Sequence, residues 1–443
     1  MEIRDPVHGS IHVVKEAEAI IQAEFFQRLR GILQLGFTEY IFPGATHTRF
    51  LHSIGVMEIG GRAFDQLFST HLGNSEFLRL KETFKLACML HDVGHAPLSH
   101  STEIVMPSLA ELKIPCRFLS SKDLSSERQA THEDYTIKSI VDSSLSDSFK
   151  DIENKYGVQK EFVADIIRGK TNEPEYFTIL GVNYFPILHQ LVSSEMDCDR
   201  MDYLLRDSYF CGVSYGNYDL DWLLDNLEIC VIDGEANLGI SERAVVTFDD
   251  FLLSRYHMFV MVYFHYRPVC IEQLLYKYFA SAPGEYSIPA DIEKYIEHDD
   301  HYLMKILRAS KNQYAEMIVK NNIPSKIYES FNNEQLVNLE KIETFLKTED
   351  IEHIRCSSLG RLSKYYSADE SPSDKYSMKV VRKLRGSDKK IYSDINQATD
   401  LFSKFSQSHH VNRLHCNTES LTPGLRAKLE DMISSWDFSN NKR

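Results

Sequence analysis

The stretch Leu90-His91-Asp92-Val93-Gly94-His95-Ala96-Pro97-Leu98-Ser99-His100 decides how the chain is read. An apolar helical run, Phe84–Leu90, stops in His91-Asp92, and Gly94 and Pro97 then end it. In mid-helix adjacent side chains diverge by about 100°. At a helix end the backbone can turn so that an imidazole and a carboxylate reach one ion. That donor pair suits Fe, Mn, Zn, Co or Ni better than Ca. Alone the dipeptide is a weak signal, and the histidines close behind it strengthen it.

Upstream, His47-Thr48-Arg49-Phe50-Leu51-His52 follows Pro43-Gly44 and leads into a helix at Ser53. Arg49 and His52 are three apart and share a face. A ligand beside a guanidinium suits a metal-bound phosphate, because arginine forks onto phosphate oxygens. The plainer reading is a helix turn with solvated polar side chains. Downstream, Ser194–Asp207 is an acidic helical stretch in which Asp199, Tyr203 and Asp207 line one stripe. Met196, Leu204 and Leu205 make it partly apolar, so some of its acids must lie near a core. A buried carboxylate needs a cation or hydrogen bonds. Thr131-His132-Glu133 starts another helix, with Thr131 as cap and His132 near the positive helix end, where an imidazole suits proton transfer.

The 443 residues, 43% hydrophobic and 26% charged, read as a soluble globular protein of two to three domains. The longest apolar run, Met258–Phe264, falls far short of the roughly 20 residues of a membrane span. No basic-then-apolar leader opens the chain, so a cytoplasmic location is expected. Eight cysteines show no C-x-x-C pair and read as reduced thiols. A net charge of −15 argues against coating nucleic acid, which is not favoured as a partner.

Helical periodicity predicts helices over Ala19–Leu35, Ser53–Phe68, Glu82–Asp92, His132–Val141, Glu161–Ile167, Phe185–Asp207 and Asp249–Ala280. Leu227–Ile232 and Ala236–Ile240 flank Asp233-Gly234-Glu235 as a hairpin, with Ala244–Phe248 as a third strand. Met106–Gln129 and Ser367–Asp374 read as loops, and Tyr376–Leu384 and Lys389–Ile395 as strands.

In this order these motifs resemble the HD-domain deoxynucleoside triphosphate triphosphohydrolases. The shared strings are Asp5-Pro6-Val7-His8-Gly9, Phe26-Gln27-Arg28-Leu29-Arg30 with Gln34-Leu35-Gly36, Phe42-Pro43-Gly44-Ala45 with His47 and Arg49-Phe50…His52-Ser53, His91-Asp92…Gly94-His95…Ser99-His100, His132-Glu133 and Asp199-Arg200-Met201-Asp202-Tyr203, continued by Arg255 and Tyr263. The likeness runs from about Ile3 to Ala280, and no sterile-alpha-motif domain, which the human member carries, is expected.

The resemblance implies a mainly α fold: an HD-domain helical core with a small β hairpin over 1–282, and a smaller α+β lobe over 283–443 serving oligomerisation or regulation. It implies His52, His91, Asp92 and Asp199 as ligands of Fe, Mn or Zn, with Mg or Mn accompanying the triphosphate. Arg49, Arg200 and Arg255 would hold the phosphates; relatives often carry lysine at the Arg200 position. Gln34, Leu35, Tyr203, Asp207 and Tyr263 would shape the sugar pocket, and His95, His100 and His132 match the catalytic histidines. The implied partners are a dNTP substrate, a nucleotide activator and further copies of the chain as a dimer or tetramer. Gln22 stands where human-type proteins read guanine with aspartate, so a guanine-specific activator is not expected. Arg30 and the basic run holding Arg382, Lys383 and Arg385 are candidates for an effector; a solvated, aggregation-resistant edge strand is the alternative. A phosphodiesterase or nucleotidase of the same superfamily acting on another phosphorylated substrate, and nucleotide or nucleic-acid sensing without turnover, are the competing functions.

Overall fold

A computed structural model describes residues 1–125, 127–331, 333–360, 378–384, 390–399, 401 and 409–437. The fold is mainly α. Helices Arg49–Leu67 and Ser75–Leu90 pack against each other, and Cys198–Cys211 lies across the first of them. A hydrophobic core running from Ile11 to Ile395 joins them to His132–Val141, Lys160–Arg168, Phe185–Val192, Val245–Met258 and Tyr266–Ser281.

Several helices expected from periodicity are interrupted where a tertiary contact overrides local preference. Ala19–Leu35 breaks at Ala23, whose ψ is 140°, into Glu18–Gln22 and Glu24–Arg28. The break aims buried Arg28 at the carbonyls of His298, at 2.9 Å, and His95, at 2.6 Å. Phe185–Asp207 divides at Ser193–Asp197, where the Asp197 carboxylate caps the second helix by accepting from Arg200 N at 2.8 Å. Asp249–Ala280 is cut by a π-helical turn, Phe259–Tyr263, and restarts at Tyr266. Pro268 falls in that new first turn, where its missing N–H costs nothing.

The hairpin forms as expected. Strands Leu227–Ile232 and Glu235–Ser241 pair around Asp233 and Gly234, both at positive φ, the conformation a two-residue turn demands. The third strand expected at Ala244–Phe248 is instead helical, because Phe248, Phe251 and Leu252 need helical spacing to reach the core together. Met106–Gln129 carries three short helical turns, Leu109–Leu112, Cys116–Phe118 and Ser121–Ser125. The Ser367–Asp374 loop lies outside the described residues.

Segments past residue 282 are tied to the core at several places. Strands Lys379–Lys383 and Lys390–Asp394 extend the hairpin sheet, Val380 pairing in parallel with Ile240. Tyr295 donates from its hydroxyl to the carbonyl of Gly94 at 2.9 Å, and the Asp300 carboxylate accepts from the backbone N–H groups of Leu33 and Leu98. A separate three-stranded sheet, ordered Ser325–Ser330, His409–Cys416, His353–Gly360, packs with helix Asn333–Thr348 around a satellite core of Leu339, Ile342, Leu346, Leu414 and Leu429. Among the described residues no helix is long and apolar enough to cross a membrane.

Candidate active site

Three helix ends meet at one point. His52 stands in the first turn of Arg49–Leu67, His91 caps the end of Ser75–Leu90 with Asp92 next to it, and Asp199 stands in the first turn of Cys198–Cys211. Asp199 Oδ1 lies 2.9 Å from His52 Nε2 and 3.6 Å from His91 Nε2. Asp92 reaches the same space, 3.4 Å from His91 Nε2 and 3.8 Å from His52 Nε2. Both Nε2 atoms are buried and make no directed hydrogen bond. Two unpartnered imidazole nitrogens facing two carboxylates fit a borderline divalent cation. Burial alone would lower the pKa of His52 and of His91. The neighbouring carboxylates, Asp199 and Asp202 for the first and Asp92 and Asp199 for the second, outweigh it and raise each to about 9. The same negative potential favours a metal ion.

The back of each imidazole is held. His91 Nδ1 meets the Cys88 carbonyl at 2.8 Å, and His52 Nδ1 meets Asp202 Oδ2 at 2.8 Å. Asp202 is fully buried and also takes His8 Nε2 at 2.6 Å and the guanidinium of Arg206, which is bound in turn to Asp5. Such outer partners fix ring orientation and tautomer. Sequence reading quoted Asp5, His8 and Asp202 without giving them this work. The signal was the i, i+4 spacing of Asp202 and Arg206, an acid and a base on one helix face.

The metal-ligand candidates border a cleft of about 720 Å³ lined by Gln34, Arg49, His95, His100, His132, Arg200 and Tyr203 among others. That volume suits a small-molecule ligand. Arg49 binds Asp92 and donates from Nε to Ser99 Oγ at 3.0 Å. Arg200 Nη1 and Arg255 Nη1 converge on one carboxylate oxygen of Glu195, at 2.8 and 3.2 Å. Glu195 carried no role in the sequence reading, since a loop acid gives no periodic signal. Leu35, Asp207, Arg255 and Tyr263 are not part of the cleft lining. Asp207 is buried, with one oxygen on His47 Nε2 and the other accepting from the Tyr263 hydroxyl, both at 2.7 Å.

Beside the ligand group sit the three other histidines. His95 and His132 stack with centroids 4.1 Å apart, and the His100 ring stands edge-on to both. Glu103, also missed by sequence reading, joins His132 Nδ1 at 2.5 Å and His100 Nδ1 at 3.0 Å. Burial would raise the Glu103 pKa, yet these two hydrogen bonds pull it down to about 2. Burial, helped by Arg49 and His132, holds His95 well below the usual imidazole range.

Of the effector candidates, Arg30 is exposed and lies over the Phe50 ring. Arg382 pairs with Glu242 at 2.5 Å and Lys383 with Glu228 at 2.8 Å, while Arg385 lies outside the described residues.

A mainly helical core thus brings clustered His and Asp to the wall of a cleft large enough for a small-molecule ligand. No family model matches the chain. It is 34% identical over 266 residues to the uncharacterized protein YwfO of Bacillus subtilis, covering 59% of this chain and 51% of that protein. It is 28% identical over 351 residues to the Dictyostelium discoideum homolog of deoxynucleoside triphosphate triphosphohydrolase SAMHD1, covering 77% of this chain and 61% of that protein. The chain thus spans about half to three-fifths of the length of these relatives. The crystal structure of a hypothetical protein from Aquifex aeolicus superposes with a TM-score of 0.72 at 25% identity, over 98% of this chain and 99% of that one. The likenesses thus join this chain to an uncharacterized bacterial protein and to a deoxynucleoside triphosphate triphosphohydrolase homolog, each matched over part of its length.

Proposed function

We propose that the protein hydrolyses deoxynucleoside triphosphates to a deoxynucleoside and tripolyphosphate. The observation that carries the reading is the grouping of His52, His91 and Asp199, with Arg49-bound Asp92 beside them, at a cleft that also presents Arg49, Arg200 and the His95–His100–His132 group.

His52, His91, Asp92 and Asp199 hold the cation, for which Fe, Mn and Zn fit the donors, with Mg or Mn on the triphosphate. When bound, such an ion supplies Lewis acidity toward the phosphate nearest the sugar. Arg49 and Arg200 neutralise the triphosphate, with Arg255 behind them; charge neutralisation is most of what phosphoryl transfer asks of a protein. Glu103 holds the Nδ1 atoms of His100 and His132, which leaves Nε2 of each ring to carry a proton. His100 then donates to the leaving 5′ oxygen, while His132 and neutral His95 orient the attacking water. Gln34, with a buried unpartnered Oε1, and Tyr203 face the sugar; Tyr263 packs edge-on to Tyr203 and donates its hydroxyl to Asp207. An effector on Arg30, Arg382 and Lys383 requires Glu242 and Glu228 to release the latter two cations, and homo-oligomers with a nucleotide activator belong to the same reading.

Incubation with each dNTP and Mn or Mg, read by phosphorus NMR, should show tripolyphosphate as the first product. Stepwise single phosphates, or no turnover of any dNTP, would refute the proposal.

A further inference from the structure

A second cluster of metal-ligating side chains lies away from the cleft. Cys270 sits on helix Tyr266–Ser281, Cys356 on strand His353–Gly360 and His415 on strand His409–Cys416, and all three are fully buried. Their donor atoms lie within 4.8 Å of one another. Nothing in the order of residues announces the group, because its members come from three distant segments. Strand His409–Cys416 pairs without interruption with His353–Gly360, Arg413 opposite Cys356 and His415 opposite Ile354, so the Cys356 and His415 side chains leave the sheet on the same face. There Cys356 Sγ lies 3.5 Å from His415 Nδ1, and the other ring nitrogen is buried without a hydrogen-bond partner.

We infer that Cys270, Cys356 and His415 form a structural site for a thiophilic divalent cation, zinc above all. Zinc binds sulfur at about 2.3 Å and imidazole nitrogen at about 2.0 Å, so tetrahedral ligands stand roughly 3.5 Å apart. The Cys356–His415 spacing meets that requirement with no movement of the chain. Charge supports the same ion. Each cysteine gives up its proton to solvent, and two thiolates with a neutral imidazole leave a zinc complex with no net charge, the form that burial tolerates. Calcium and magnesium, which take oxygen ligands, do not suit the set. Occupation staples the three-stranded sheet to the core helix. A metal of this kind contributes to folding and has no part in phosphate chemistry.

The test loads the full chain with Co(II) and reads the near-ultraviolet thiolate-to-cobalt charge-transfer band, which the sulfur-free His/Asp group cannot produce. The band should appear in the wild type and in His52→Ala, and disappear in Cys270→Ala and in Cys356→Ala. The wild-type measurement stands whether or not the cysteine variants fold. Absence of the band from the wild type, or its survival in both cysteine variants, overturns the inference. So does a titration of chelated, denatured protein in which two thiols are missing from wild type and not from Cys270→Ala, since that marks a disulfide.

Discussion

Asp202 touches neither the cleft nor the space between the ligands, yet it fixes the tautomer of His52 while sharing its two oxygens with His8 and Arg206. Asp202→Asn should therefore weaken metal binding at His52, His91, Asp92 and Asp199 by about 10–100-fold, as loss of an outer partner typically does. Competitive chelation against a fluorescent indicator measures it, and unchanged affinity would detach Asp202 from the site. Asp92→Ala should abolish metal binding and activity together while circular dichroism stays helical. Glu103 gives the pH signature. Its folded pKa of about 2 lies below the ordinary 4.5, so the stability it contributes is fully present above about 4.5 and is lost as pH falls through about 2. Urea midpoints of Glu103→Gln should lack that acid slope; parallel curves for variant and wild type would count against the pairing with His100 and His132. Of the proposed ligands, His91 and Asp92 stood out because they adjoin at a helix end, while His52 and Asp199 entered through the family resemblance. Asp202, Glu103 and Glu195 were not, because a carboxylate that binds a metal and one that orients a neighbour read alike until the folded chain supplies their partners.

The elements show where periodicity misleads. Apolar spacing runs on through Ala23 and through Phe259–Tyr263, and nothing local marks a break; buried Arg28 and the π turn impose it from outside. The break at Ser193–Asp197 had a readable sign, since Asp197 is a natural cap before an apolar-periodic run. Gly94 is the element-scale requirement that sequence did disclose, although its reason differs. It does more than end a helix. A Cβ there would lie 2.1 Å from Thr136 N and 2.4 Å from the His132 carbonyl, so only glycine lets the His91–Asp92 turn seat on helix His132–Val141. Gly94→Ala should cost about 3 kcal/mol by overpacking against backbone that cannot yield. Gly73→Ala, with nothing within 4 Å of the new carbon, should be near neutral. Equal urea midpoints for the two variants would show that this contact does not govern the turn.

At the scale of the whole molecule, the expected boundary at residue 282 bears on how the site is supported. The His91–Asp92 turn is buttressed from beyond it: Tyr295 reaches the Gly94 carbonyl, Asp300 holds Leu33 and Leu98, and His298 receives Arg28. Removing residues after 282 strips these partners from groups that remain buried, and each unsatisfied polar group costs about 1–3 kcal/mol. Several such losses approach the whole stability of a typical domain, about 5–15 kcal/mol. A chain ending at 320 keeps these contacts together with helices Asp300–Ala309 and Gln313–Val319, whose Leu303, Leu307, Ala315 and Ile318 belong to the main core. It loses the strand pair Lys379–Lys383 and Lys390–Asp394 and the satellite core around Leu414. The expected outcome is that 1–282 fails to fold cooperatively or retain metal. The 1–320 chain should melt earlier than the full protein and still bind one metal equivalent at the His/Asp group. Calorimetry with metal analysis on both truncations checks this, and a 1–282 chain that melts cooperatively with metal bound would mean that the turn is self-supporting.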